Sequence, residues 1–343
     1  MSEIQAIQKI KGKIALTVLA TIAVTFFAAY GMVWIVNYLS GSFLNWWMVL
    51  ISASVYAGIQ IMLLLLLGPW SVEGQFGSKL NFITQGDNPK VWNMVEKMSE
   101  EVKVKFSKVG ILNTTELNAF VYWGIGYGNA IVFTNGIIDL LDEEELSGVC
   151  GHELGHVTHG DLKAMSFLSS LPIFLHTFYH FSQSEGKYKK DSAAWLLIYL
   201  IFIGALIACH FLSLYLSRQR EYHADANATI MKKSPIPIAA ALAKITYKNI
   251  SKGEMDLAVR KELNTLCIID PHSVARQTKE IANTIKSISE IADYIDDPDI
   301  DQGDLEEEME KEKQRGGEME RTHPLTVNRI TFIVELARES GFI

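Results

Sequence analysis

Polar and apolar positions divide the 343-residue chain into stretches of very different character. No Asp, Glu, Lys or Arg occurs between Lys13 and Glu73. That run holds two apolar segments, Ile14 to Val36 and Leu44 to Leu67, each longer than the roughly 20 residues an α-helix needs to cross a bilayer. The polar break from Asn37 to Ser42 predicts a hairpin, and Trp34, Trp46, Trp47 and Trp70 stand where interfacial aromatics belong. The first segment is too long for a cleaved signal peptide and a second follows at once, which predicts an uncleaved anchor. Two more apolar segments follow, Ala164 to Ser182 and Ala193 to Leu216. The last is strongly apolar and predicts a span. The other is interrupted by Pro172, His176 and His180, so a full crossing and a shallower hairpin both remain open.

Lys9, Lys11 and Lys13 precede the first segment and the hairpin loop carries no Lys or Arg, so the positive-inside rule puts the N-terminus and the stretch from Ser71 to Gly160 on the cytoplasmic side. Lys187, Lys189 and Lys190 in the connection from Gln183 to Asp191 run against that rule and leave the second pair of segments unresolved. The expected location is the cell's inner (plasma) membrane, multi-pass, with the lipid bilayer as a partner.

Between the membrane segments the periodicity changes. Val91, Trp92, Met94, Val95 and Met98 recur at helical spacing, and the stretch from Trp70 to about Lys108 reads as helical. Val109 to Asn113 and Ala130 to Thr134 read as short strands, with Asn118 to Gly128 between them punctuated by Gly124, Gly126 and Gly128. Asp142, followed three residues later by Glu145, reads as a capped helix start. That helix should run to about Gly160. Far downstream, Glu290 to Glu320 holds fourteen acidic and three basic residues, the pattern of a solvated linker or helix face.

Composition adds two exclusions. A net charge of −8 offers no basic face for nucleic acid. Three scattered cysteines make no disulfide framework and fit a reducing compartment.

The chemistry lies on the capped helix, in His152-Glu153-Leu154-Gly155-His156. Two histidines four apart share one helix face, so both imidazoles can bind one metal ion, and Glu153 can reach a water there without being a ligand. Zinc suits two neutral imidazoles with a position left open, and it needs a third protein ligand. Sixty-five residues after His156 comes Glu221, in Arg220-Glu221-Tyr222-His223-Ala224-Asp225. If this stretch is helical, Glu221 and Asp225 share a face, one able to bind metal and the other to hold a ligand imidazole. On spacing alone the cluster reads equally well as an interfacial anchor. His159, His176, His180, His210, Cys150 and Asp270-Pro271-His272 read as structural.

The combined pattern resembles the HtpX-like membrane metalloproteases, relatives of the type I prenyl-protein (CaaX) proteases. The matching pieces are Asn118-Ala119-Phe120, His152 to His156 with Gly160-Asp161, Arg220-Glu221 through Ala224-Asp225, and Thr322-His323-Pro324 with Arg329-Ile330. They occur in the family's order. The resemblance implies a mainly α membrane protein, about four transmembrane helices plus a cytoplasmic α+β zincin-type (gluzincin) domain with a small β-sheet. It implies one Zn2+ held by His152, His156 and Glu221, with Glu153 as catalytic base. His323 would stabilise the oxyanion, and Arg329, like Asp225, would orient the site. Asn118, Ala119 and Phe120 are candidates for the strand that binds extended substrate, with Ala130 to Phe133 as the other choice.

The expected organisation is a membrane hairpin (1–70), the first part of the zincin domain (71–161), a second membrane hairpin (162–217), a third-ligand helical part (218–287), an acidic linker or mobile segment (288–320) and a C-terminal segment returning to the site (321–343). The expected function is a zinc metalloendopeptidase of protein quality control, acting on unfolded, misfolded or damaged membrane proteins. A selective CaaX-type processing peptidase is the alternative within enzymes. A non-catalytic, zinc-stabilised scaffold is the other, and Glu153 argues against it, because a structural site does not need a base.

Overall fold

The structure is a computed structural model that describes residues 3–40, 46–158, 175–176, 193–251, 324 and 326–343. His159, most of the third apolar segment with His180, Cys267, Asp270-Pro271-His272, the acidic stretch, Thr322 and His323 lie outside the described residues.

The uncharged run forms two long helices, α1 (Glu3–Ser40) and α2 (Trp46–Phe76). Thr17, Thr21, Thr25, Ala28, Ala29 and Met32 make a buried stripe on α1, and each threonine hydroxyl donates to a carbonyl four residues earlier. Small residues at this spacing let helices approach closely where no water drives association. The stripe packs on Ile198, Phe202, Ala205 and Cys209, with Thr25 Oγ1 3.6 Å from Cys209 Sγ. Those partners belong to a helix of 40 residues, Ala193–Lys232. Among the described residues, the segments Ile7–Met32 and Leu196–Lys232 are long and apolar enough to cross a bilayer. The next helix, α2, carries a row of exposed apolar side chains from Trp47 through Ile51, Val55, Ile59, Met62 and Leu63 to Leu67 and Trp70.

After a 3-10 turn (Gly77–Lys79) come β1 (Leu80–Ile83) and α3 (Pro89–Glu101). The expectation of helix from Trp70 to about Lys108 therefore fails between Phe76 and Pro89, and again after Glu101, where β2 begins at Phe106. Gly77 turns the chain with φ +51°, Asp87 caps the turn after β1 by accepting from Thr84, and Asn88-Pro89 starts a new helix. The strands β2 (Phe106–Leu112), β3 (Ala119–Gly124) and β4 (Gly128–Thr134) complete a mixed sheet of order β1-β2-β4-β3. β2 and β4 are parallel and the other pairs antiparallel. The glycine-punctuated stretch is thus a strand and a tight turn. β4 has a strand on each side, whereas β3 has β4 alone among the described residues.

The short α4 (Asn135–Leu140) leads into α5 (Glu143–Thr158). Asp142 and Glu145 cap α5 reciprocally, each backbone N–H bonded to the other's carboxylate at 2.8 and 3.0 Å. The 40-residue helix is α6, followed by α7 (Ile236–Ser251) and α8 (Thr326–Ser340). One core joins α3, the Ala119/Val121 face of the sheet, α5, α7 and α8. Cys150 is fully buried within it, and burial pushes its thiol up.

Candidate metal centre

The centre forms where α5 crosses α6, and glycines set how close the two come. A Cβ built on Gly155 would stand 2.8 Å from Ala224 Cα, and one on Gly151 would stand 3.2 Å from Ala228 Cα. A Cβ on Gly148 would meet the Ile238 nitrogen of α7 at 2.7 Å. These glycines line one face of α5 and let backbone meet backbone. Asn227 on α6 secures the crossing by donating to Gly151 O at 2.9 Å.

This approach brings together His152 and His156 from α5 and Glu221 from α6. One ligand atom from each lies within 4.8 Å of the others, and all three residues are buried. His152 Nε2 is 3.5 Å from Glu221 Oε2, and His156 Nε2 is 3.7 Å from Glu221 Oε1. Asp225, one helical turn beyond Glu221, sits 2.9 Å from His152 Nδ1. That contact turns the Nε2 lone pair toward the cluster. Arg329 of α8 is 1 % exposed and grips Asp225 with two bonds, Nε to Oδ2 at 2.8 Å and Nη2 to Oδ1 at 2.6 Å. Its Nη1 lies 3.4 Å from Glu221 Oε2. Three helices distant in sequence therefore converge on one buried cluster.

The electrostatics follow from burial and neighbours. Burial opposes a charge on His152, but Asp225 and Glu221 outweigh it and push the group up to about 9. Burial, aided by the Glu221 carboxylate, pushes Glu153 up to about 8 against the pull of His152 and Arg329. Arg329 is held above its ordinary value by Asp225 and Glu221 despite its burial.

Two imidazole nitrogens and a carboxylate oxygen, converging at this separation, are the donor set and size that zinc takes in catalytic sites. The residues present fit that ion. Glu153 is 3 % exposed and follows the first histidine without being part of the donor set. Among the other sequence candidates, Asn118 is held by Thr134, whose hydroxyl accepts the Asn118 N–H and donates to its carbonyl. Ala119 and Phe120 are buried on opposite faces of β3. His176 packs on Phe202 at 6.3 Å and His210 on Phe211 at 5.8 Å, away from the cluster. The glycine face of α5 and Asn227 were not singled out by sequence. The signal was present in the small residues Gly148, Gly151 and Gly155 opposite Ala224 and Ala228.

The profile of peptidase family M48 matches residues 85–337. A protease HtpX homolog of Methanothermobacter thermautotrophicus is 30 % identical over 222 residues, which are 64 % of this chain and 82 % of that protein. A protease HtpX homolog of Bacteroides fragilis is 30 % identical over 201 residues, 55 % of this chain. The match spans 61 % of that relative's own length. Among solved structures, the crystal structure of S. mikatae Ste24p is 19 % identical with a TM-score of 0.45, covering 74 % of this chain and 62 % of that one. With the family profile extending over most of its length, this chain belongs to peptidase family M48.

Proposed function

We propose that the protein is an integral membrane zinc endopeptidase that hydrolyses peptide bonds of misfolded or damaged membrane proteins. The observation that carries this reading is the buried His152, His156 and Glu221 set with Glu153 beside it. A zinc ion in that set would supply Lewis acidity to a water and to the scissile carbonyl. Glu153 takes the proton of the attacking water and delivers it to the departing amine. Asp225, clamped by Arg329, keeps His152 in the tautomer that presents Nε2. His323 is the proposed donor to the oxyanion.

Substrate binds, in this reading, as an extended chain along β3. Of the two strands considered, β4 is paired on both sides and β3 pairs with β4 alone among the described residues, which supports the choice of β3. α1 and α2 cross the inner membrane as one pair, and the two apolar segments between His156 and Glu221 form a second pair, so that the site faces the cytoplasm on both sides of them. Glu221 lies five residues past Leu216 on the same uninterrupted helix, a rise of about 8 Å at 1.5 Å per residue. Such a site can act on chains close to the bilayer.

The test is cleavage of an unfolded model protein by the detergent-purified enzyme, wild type beside Glu153→Gln, with zinc content read on both. Equal zinc with activity in the wild type alone is expected. Activity surviving in Glu153→Gln at equal zinc overturns the assignment of the base.

A further inference from the structure

The turn between β3 and β4 is built against a defect in α2. Pro69 lies inside that helix and has no N–H, so the carbonyl of Leu65 loses its donor four residues on. The N–H of Ile125, at the tip of the β3–β4 turn, bonds that carbonyl at 3.0 Å. Gly124 makes the approach possible, because a Cβ there would lie 2.3 Å from Pro69 Cγ. Leu65 belongs to the uncharged apolar run, five residues before Trp70. At 1.5 Å per residue the tip therefore lies about 7.5 Å farther along α2 toward its apolar centre than Trp70.

The side chains around the hairpin are graded along the same axis. Ile125, beside Leu65, is 40 % exposed, and Leu67 of α2 is exposed with it. Tyr127 meets Trp70 edge-on at 6.3 Å. Farther along, Tyr127 and Tyr122 donate to Glu73, and Lys108 bonds the same carboxylate at 2.9 Å. Apolar, then aromatic, then charged is the order in which a bilayer boundary is crossed.

We propose that the β3–β4 turn, with Ile125 at its tip, is immersed in the lipid interface beside α2. This rests on the membrane reading of α2 given above, and it deepens the proposed function. The edge strand β3 then ends at the bilayer itself, so a chain paired along it is taken up directly from the membrane surface.

The experiment places a nitroxide at position 125, as Ile125→Cys in a chain whose Cys150, Cys209 and Cys267 are replaced by Ala. The protein is reconstituted in vesicles of phosphatidylethanolamine and phosphatidylglycerol. Parallel labels at Ile59→Cys and Gly86→Cys mark α2 and an exposed turn. Relaxation by oxygen several-fold stronger than by a water-soluble nickel chelate is expected at 125 and 59, and the reverse at 86. A water-like response at 125 with a lipid-like one at 59 overturns the immersion of the turn alone. Water-like responses at both overturn the membrane reading of α2 with it. The unmodified chain gives a second readout in the same vesicles doped with a diazirine-bearing phospholipid. Adducts on residues 123–127 are expected, and adducts confined to α2 overturn the proposal.

Discussion

Replacing Gly155 by Ala tests whether the metal centre depends on the closeness of α5 and α6. The added Cβ would stand 2.8 Å from Ala224 Cα, 3.1 Å from Asn227 Cβ and 3.3 Å from Ala224 Cβ. Carbon atoms rest comfortably at about 3.5–4.0 Å, so the helices must part locally by about 1 Å. Neither neighbour is the end of a flexible side chain that could swing aside. Overpacking of this kind costs about 1–3 kcal/mol, and the better helix propensity of Ala returns up to about 1 kcal/mol. Net stability should therefore fall modestly. The metal should suffer far more, because zinc ligands tolerate displacements of only about 0.2 Å and Glu221 stands one turn from the point of collision. The expected result is a zinc affinity lowered at least about tenfold, the scale on which misoriented ligands cost binding. It is read by competition with a chromophoric chelator, alongside thermal unfolding of the detergent-purified protein. Gly151→Ala, where the nearest atom is 3.2 Å away, should lose less. Gly204→Ala, with nothing within 4 Å, should bind zinc like the wild type. Wild-type affinity in Gly155→Ala, or the same loss in Gly204→Ala, would refute the reasoning.

Asp225→Asn should lower zinc affinity about 10–100-fold while helical circular dichroism is retained, because His152 loses the anionic partner that fixes its ring and tautomer. Arg329→Met leaves Asp225 buried without its two charged bonds and should destabilise the fold by about 3–5 kcal/mol, measured by denaturant unfolding; a change under about 1 kcal/mol would show that the clamp is not needed. The hairpin anchor should be acid-sensitive. Partial burial would raise Glu73, but Tyr127, Lys108 and Tyr122 outweigh it and hold its folded value below the ordinary 4.5. A depressed carboxylate contributes its stability in full above that ordinary value and loses it as pH falls through the folded value. Wild type should thus melt above Glu73→Gln near neutral pH, with the gap closing below about 4.5; a gap independent of pH would contradict this.

Much of this architecture was legible because it follows from local chemistry. The long apolar segments, the reciprocal Asp142/Glu145 cap and the four-residue spacing of His152 and His156 all act within a few residues, and α5 carries both histidines as expected. The strand β1 was missed because its four residues alternate poorly, with Leu80 and Ile83 the buried ones, and a neighbouring helix supplied a stronger period. Whether Glu221 was a ligand or an interfacial charge could not be decided by spacing, because the answer depends on an approach between α5 and α6 that only the Gly155/Ala224 contact permits. The role of Gly124 was equally non-local. It is required by Pro69, 55 residues earlier, through a backbone bond that no pattern of side chains announces.

The continuity of α6 gives the centre its mechanical character. Cys209, which meets Thr25 of α1, and Glu221 and Asp225, which meet His152, lie on one helix without a break. Helix extension fixes the height of Glu221 above the apolar segment, and the glycine face of α5 fixes the lateral distance to the histidines. Arg329 then closes the cluster from a third helix that is separated from Asp225 by 104 residues. The donor set thus rests on α6 packed against both α1 and α5, with α8 returned to Asp225.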